Sequence, residues 1–188
     1  MTKKVKEQKK SMGQRIRNWF TDLTWAKPRQ WIIALIPAVL VVAADQISKI
    51  LIMANLKIPG ASVWIIEPVL KFIYSQNFYG LFSITYGPRF IYIILPSLAV
   101  ILVLIFLLRP QRTFVAVLLG LVLGGGIGNL IDRIRLGYVV DWVSMGLKNW
   151  RWATYNIADG SIVVAVIILL IIEFFFSKPK KEEEVDEE

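Results

Sequence analysis

Two aspartates fall in short polar stretches of an otherwise apolar chain. Asp141 lies in Tyr138-Val139-Val140-Asp141-Trp142, and Asp159 in Tyr155-Asn156-Ile157-Ala158-Asp159. The chain contains no histidine and no cysteine. That removes disulfides, thiol nucleophiles, Cys/His metal sites and any Ser-His-Asp triad. Acid–base work is left to Asp, Glu, Lys or Tyr. Two close carboxylates cannot both ionise cheaply, so one keeps a proton and the pair titrates with separated macroscopic pKa values. One can then activate water while the other donates a proton to a scissile carbonyl or a leaving amine. Spacing alone leaves a second reading open, in which Asp159 only caps a helix and Asp141 is an exposed loop charge.

Further polar residues interrupt apolar runs, where charge is costly and functional by default. Asp45 and Lys49 stand at i, i+4, on one helix face and able to pair. An ion pair that orients helices is one reading of them, and direct participation in chemistry is another. Gly124, Gly125, Gly126 and Gly128 precede Asn129, Asp132 and Arg133. A dinucleotide loop would need a strand before these glycines and a soluble βαβ unit, which the pattern lacks. Inside a membrane span, small residues permit close backbone approach. Asn129 and Arg133 share a face, and Asp132 with Arg133 reads as polar support for a site.

The elements that would position these groups are membrane helices. Of 188 residues, 56% are hydrophobic, above the ~45–50% usual for soluble domains. Four apolar blocks run over about 31–53, 90–108, 114–131 and 156–176, each near the ~20 residues that cross ~30 Å of hydrocarbon. The first is too long for a signal-peptide core and lacks a small-x-small cleavage site, so it is expected to stay as an anchor. Residues 54–89 include an alternating stretch, Val69–Tyr74, that predicts a strand or small sheet at the interface. Residues 132–155 form the other outward segment, with Trp142, Trp150, Trp152 and Tyr155 suited to the headgroup level.

Orientation follows from Lys and Arg. The N-terminal segment, the 109–112 turn and the 178–181 segment hold 14 basic residues, against 7 in the other two loops. Both termini are thereby expected in the cytoplasm, with the aspartates near the outer face. Residues 1–30 form a basic leader in which Ile16, Trp19, Phe20 and Leu23 fit either a cationic interfacial helix or a solvated segment. Residues 31–176 make the membrane domain and 177–188 a charged cytoplasmic tail, within which Glu182–Glu188 is expected to be disordered. The net charge of +8 flanks apolar blocks, so a membrane surface rather than nucleic acid is the expected partner.

At these residues the sequence resembles the lipoprotein signal peptidases (signal peptidase II), membrane aspartyl proteases of bacteria. Asp45-Gln46-Ile47-Ser48-Lys49 is similar to the family's D-Q-x-x-K, and Gly125–Arg133 to its G-x-x-G-N-x-x-D-R. Val139–Trp142 matches V-V-D-[FW], and Tyr155–Asp159 matches [FY]-N-x-A-D. The resemblance implies an all-α membrane protein with a small β element: four transmembrane helices, an outer β-cradle and a mobile loop. It implies cleavage of diacylglyceryl-modified prolipoproteins just before the lipidated cysteine, with no metal or cofactor. Carried over by motif, Asp141 and Asp159 are the catalytic dyad. Asp45, Lys49, Asn77, Asn129, Arg133 and Asn156 line or support the pocket, and Asp132 is structural. A monomer embedded among membrane lipids is expected. The chain departs from the family's N-x-G-x-x-F at Asn77-Phe78-Tyr79-Gly80-Leu81-Phe82, where the glycine has moved one place.

Three rival readings remain at this level. A Ser/Lys protease would use Ser48 and Lys49, but i and i+1 point apart on a helix. A small transporter would use Asp45 and Lys49 as a proton relay, although four spans without an inverted repeat argue against it. A non-catalytic scaffold would tolerate loss of both aspartates.

Overall fold

A computed structural model describes residues 25–79, 88, 90–147 and 150–176. The expected interfacial helix, the mobile loop beyond Tyr79 and the charged tail lie outside these residues. Among the described residues, four helices and four strands follow in the order α1 (Pro28–Leu56), β1 (Ser62–Ile66), β2 (Leu70–Asn77), α2 (Ile91–Leu107), α3 (Thr113–Leu136), β3 (Val139–Leu147), β4 (Trp150–Arg151) and α4 (Ile157–Phe176).

Three of the helices, α1, α3 and α4, are long and apolar enough to cross a membrane. The fourth, α2, is apolar but shorter, at 17 residues. The protein is thus a mostly helical membrane protein with a small, open β-sheet. Its outer helix surface is apolar: Val39, Leu40, Leu98, Ile101, Leu170 and Phe174 are exposed. Its interior holds small and polar residues instead, as expected where lipid is the solvent.

The central helix is α3, which packs on α1, α2 and α4. Glycines set how near the neighbours come. A Cβ at Gly124 would lie 2.6 Å from the Ala38 carbonyl oxygen of α1, and one at Gly125 would lie 2.6 Å from Ser161 Oγ of α4. Ala34, Ala38, Leu107 and Leu123 form the apolar core of the bundle.

Two boundaries differ from the sequence expectation. The third helix continues to Leu136, so Asp132 and Arg133 belong to its last turns rather than to an outward loop. Gly137 ends it in the left-handed region (φ 80°), donating its N–H to the Arg133 carbonyl, and turns the chain directly into β3. The strand expected at Val69–Tyr74 runs on to Asn77 and has β1 and β3 on either side, in an antiparallel sheet ordered β1-β2-β3-β4. Pairing of Ser75 with Asp141 and of Asn77 with Val139 brings β2 alongside the aspartate.

Candidate active site

The end of α3, the start of α4 and the paired strands β2 and β3 meet at one cluster of carboxylates and amides. Asp141, on β3, is 2% exposed. This overturns the alternative in which it is a solvated loop charge. Its Oδ1 accepts a hydrogen bond from Asn156 Nδ2 at 2.8 Å, and its Oδ2 accepts one from Asn77 Nδ2 at 2.9 Å. Burial, and then the nearby Asp159 carboxylate, push the Asp141 carboxyl up from 3.8 to about 7.

Asp159 occupies the third position of α4 and does cap that helix. Asn156 Oδ1 accepts the Asp159 N–H at 2.9 Å, and Asp159 Oδ2 accepts the Asn156 N–H at 3.3 Å. This reciprocal pair is a capping box with Asn and Asp in place of Ser and Glu. Capping occupies one carboxylate oxygen. The other, Oδ1, faces α3 and accepts from Asn129 Nδ2 at 2.7 Å. The cap and the chemical reading are therefore compatible.

Asn156 joins the two aspartates. Its amide nitrogen donates to Asp141, to Asn129 Oδ1 at 3.1 Å and, at the hydrogen-bond limit, to the Val140 carbonyl. Its amide oxygen receives the Asp159 N–H. Neither Asp141 nor Asp159 has an ion pair among the described residues.

A second acidic pair lies behind the first. Lys49, 1% exposed, bridges Asp45 at 2.7 Å and Asp132 at 2.8 Å, and gives its third proton to Asn129 Oδ1 at 3.2 Å. An ammonium can only donate, so it fixes which way the Asn129 amide points and turns the NH2 end toward Asp159. Asp45 Oδ1 accepts the Ala158 N–H at 3.0 Å, and Asp132 Oδ2 accepts the Val140 N–H at 3.1 Å. These bonds pin the backbone immediately before each catalytic candidate.

Arg133 is half-buried, donates to the Asn129 carbonyl at 3.3 Å and lies within Coulombic reach of Asp141, Asp159 and Asp132. Gln46 was not singled out from the sequence. Its amide nitrogen donates to Asp132 at 2.9 Å and to the Gly128 carbonyl at 3.1 Å, tying α1 to α3. A polar amide inside an apolar span was the signal available for it. The Ser48 hydroxyl donates to the Asp45 carbonyl of its own helix at 2.8 Å, away from any partnership with Lys49.

The atypical loop starts where β2 ends. Phe78 packs at a tilt against Tyr138 (5.2 Å between ring centres) and Tyr79 edge-on against Tyr92 of α2 (6.0 Å), so each bulky residue has an aromatic partner. Asn77 still reaches Asp141.

A family model described as signal peptidase (SPase) II matches residues 37–176. The chain belongs to the signal peptidase II family. Similar curated proteins include the lipoprotein signal peptidase of Halothermothrix orenii, 35% identical over 69% of this chain and 86% of that protein. That of Coxiella burnetii is 38% identical over 68% of this chain and 80% of its own length. A solved bacterial membrane enzyme superposes with a TM-score of 0.70 at 29% identity, covering 81% of this chain and 93% of its own. As a member of the family, the chain is a membrane-embedded aspartic endopeptidase acting on lipoprotein signal peptides. Its apolar helices and its likeness to membrane enzymes make it a multi-pass protein of the inner membrane.

Proposed function

We propose that Asp141 and Asp159 are the catalytic dyad that removes signal peptides from diacylglyceryl-modified prolipoproteins, cutting just before the lipidated cysteine. One observation carries the assignment: the buried Asp141 and the half-buried Asp159 are linked by a single asparagine, while the neighbouring pair takes the buried lysine. Asp141 holds the shared proton, in line with its raised pKa of about 7, and Asp159 acts as the base. A water between them is deprotonated by Asp159 as it attacks the scissile carbonyl, and Asp141 protonates the oxygen that develops charge. Proton transfer to the leaving amine then separates the products without a covalent enzyme intermediate.

The supporting residues divide by what they touch. Asn77, Asn129 and Asn156 orient the carboxylates, and Asp45, Lys49 and Asp132 hold the three helix and strand ends in register. Arg133 offers a cation near the dyad. No metal or cofactor takes part.

In this reading all four helices span the bilayer, both termini are cytoplasmic and the dyad lies near the outer face. Residues 1–30 form a leader, 31–176 the membrane domain and 177–188 a tail, and the enzyme acts as a monomer. The charge asymmetry of the loops supports this orientation. The test is cleavage of a lipidated precursor by the purified chain. The expected result is release of the signal peptide by the native chain and none by Asp141→Asn or Asp159→Asn. Equal cleavage by either folded variant would sink the dyad assignment.

A further inference from the structure

The bundle has a second built feature at the end remote from the aspartates, roughly 25 Å of helix away from Asp45 when measured from Pro28. There a cavity of about 580 Å³ opens between the start of α1 and the start of α3, with Trp25, Lys27, Arg29, Gln30, Gln111 and Thr113 among its walls. Its volume falls within the ~300–1,000 Å³ of small-ligand sites. We propose that it binds the phosphodiester headgroup of an anionic membrane lipid.

The walls are fixed by hydrogen bonds. Gln30 Nε2 donates to the Leu107 and Arg109 carbonyls at 3.1 and 2.8 Å, and Gln30 Oε1 accepts the Gln111 N–H at 2.8 Å. The Ala26 N–H reaches the Leu108 carbonyl at 2.9 Å. One glutamine thereby clamps the turn between α2 and α3 against the entry to α1.

The charge is of one sign. Among the described residues, Lys27 and Arg29 line the cavity, no carboxylate does, and neither cation makes an ion pair. The first turn of α3 has no side-chain cap, so its N–H groups add to the positive field. Two features favour a lipid over a soluble phosphate. Trp25 is 60% exposed beside the cations, as an interfacial indole would be. The exposed Ile32 and Ile36 of α1 continue from the cavity along the helix and offer an apolar track for an acyl chain.

The experiment uses the full chain in nanodiscs of phosphatidylcholine with or without phosphatidylglycerol, following Tm and the lipids retained in native mass spectrometry. Phosphatidylglycerol should raise the Tm of the native chain. The Lys27→Gln/Arg29→Gln variant should bind it roughly twenty-fivefold more weakly, at about fivefold per surface cation. Its Tm in pure phosphatidylcholine and its cleavage of precursor in detergent should be unchanged. The charge-preserving Lys27→Arg/Arg29→Lys variant should keep the response, as should Lys71→Gln at the sheet. An equal response in the native and neutralised chains overturns the site. Loss of response in the charge-preserving variant also overturns it, since packing rather than charge would then be responsible. Equal protection of detergent-solubilised protein by glycerol 1-phosphate would transfer the site from a lipid to a soluble phosphate.

Discussion

Asp45 and Asp132 share a lysine, whereas Asp141 and Asp159 share an asparagine. All four carboxylates belong to one connected network, and Asn129 touches both halves of it. In the first pair a buried ammonium balances the charge at 2.7 and 2.8 Å, and both carboxylates also accept backbone N–H groups. In the second pair the partners are carboxamides and, for Asp159 Oδ2, the Asn156 backbone N–H, which orient a carboxylate without neutralising it. Proximity and burial then force the two groups to divide their protons unequally. On the proposed dyad reading, the same residue type is a tie in one place and an acid–base device in the other because of what faces it.

Four changes would break or sharpen that contrast. The largest effect is expected from Asp141→Asn and Asp159→Asn, each lowering kcat for precursor cleavage by about 10³-fold or more, with little change in Tm. The Asp159 variant retains a side-chain oxygen for the helix cap. A comparable kcat loss in Asp45→Asn, without any loss of Tm, would erase the distinction between the pairs.

Lys49→Met comes next. It strands two buried carboxylates and should cost about 3–5 kcal/mol of stability, read by thermal unfolding. Adding Asp45→Asn and Asp132→Asn to it should recover much of the loss, because the uncompensated charge is then gone. No recovery would mean that the lysine acts through packing.

The third effect is on pH dependence. The Asp141 pKa is raised in the folded protein, from 3.8 to about 7. The folded state therefore holds a proton that the unfolded state releases between those values. Asp141 should make stability fall as pH rises through that window and contribute no further slope above about 7. The activity that needs its proton should likewise decline about tenfold per unit above pH 7. The native chain should show the stability slope more steeply than Asp141→Asn, and identical slopes would contradict the assignment.

Gly128→Ala should have the smallest effect of the four. Its Cβ would sit 2.8 Å from Asp45 Oδ2, so the lysine-bridged pair must shift. A stability loss of about 1–3 kcal/mol is expected. A smaller fall in kcat should accompany it, transmitted through the Asp45 bond to the Ala158 N–H. Full stability would show that the pair has slack.

Much of the site was legible in the residues themselves. Asp45 and Lys49 had to share a helix face at i, i+4, and they pair. Asn129 and Arg133 likewise meet on α3. The reach of α3 to Leu136 was harder to read, since a helix passing from lipid to the interface changes composition before it changes backbone; Gly137 marks its end. Gln46 was missed because its partners, Asp132 and the Gly128 carbonyl, come from another helix. Nor could the sequence show that Phe78 and Tyr79, which depart from the family pattern, would be taken up by Tyr138 and Tyr92.

The sequence by itself determined the solvent, the placement of polar groups within apolar spans, and the restriction of acid–base chemistry to residues other than Cys and His. Those are properties of composition and period, which need no folded neighbour. Only the tertiary structure decided that Asp132 joined Asp45 at the lysine and that Asp141 and Asp159 were left facing amides. That choice depends on how closely α1 and α4 approach α3 at its glycines and on β3 following directly from Gly137. Charge compensation is a property of distances across the bundle, and no single segment carries it.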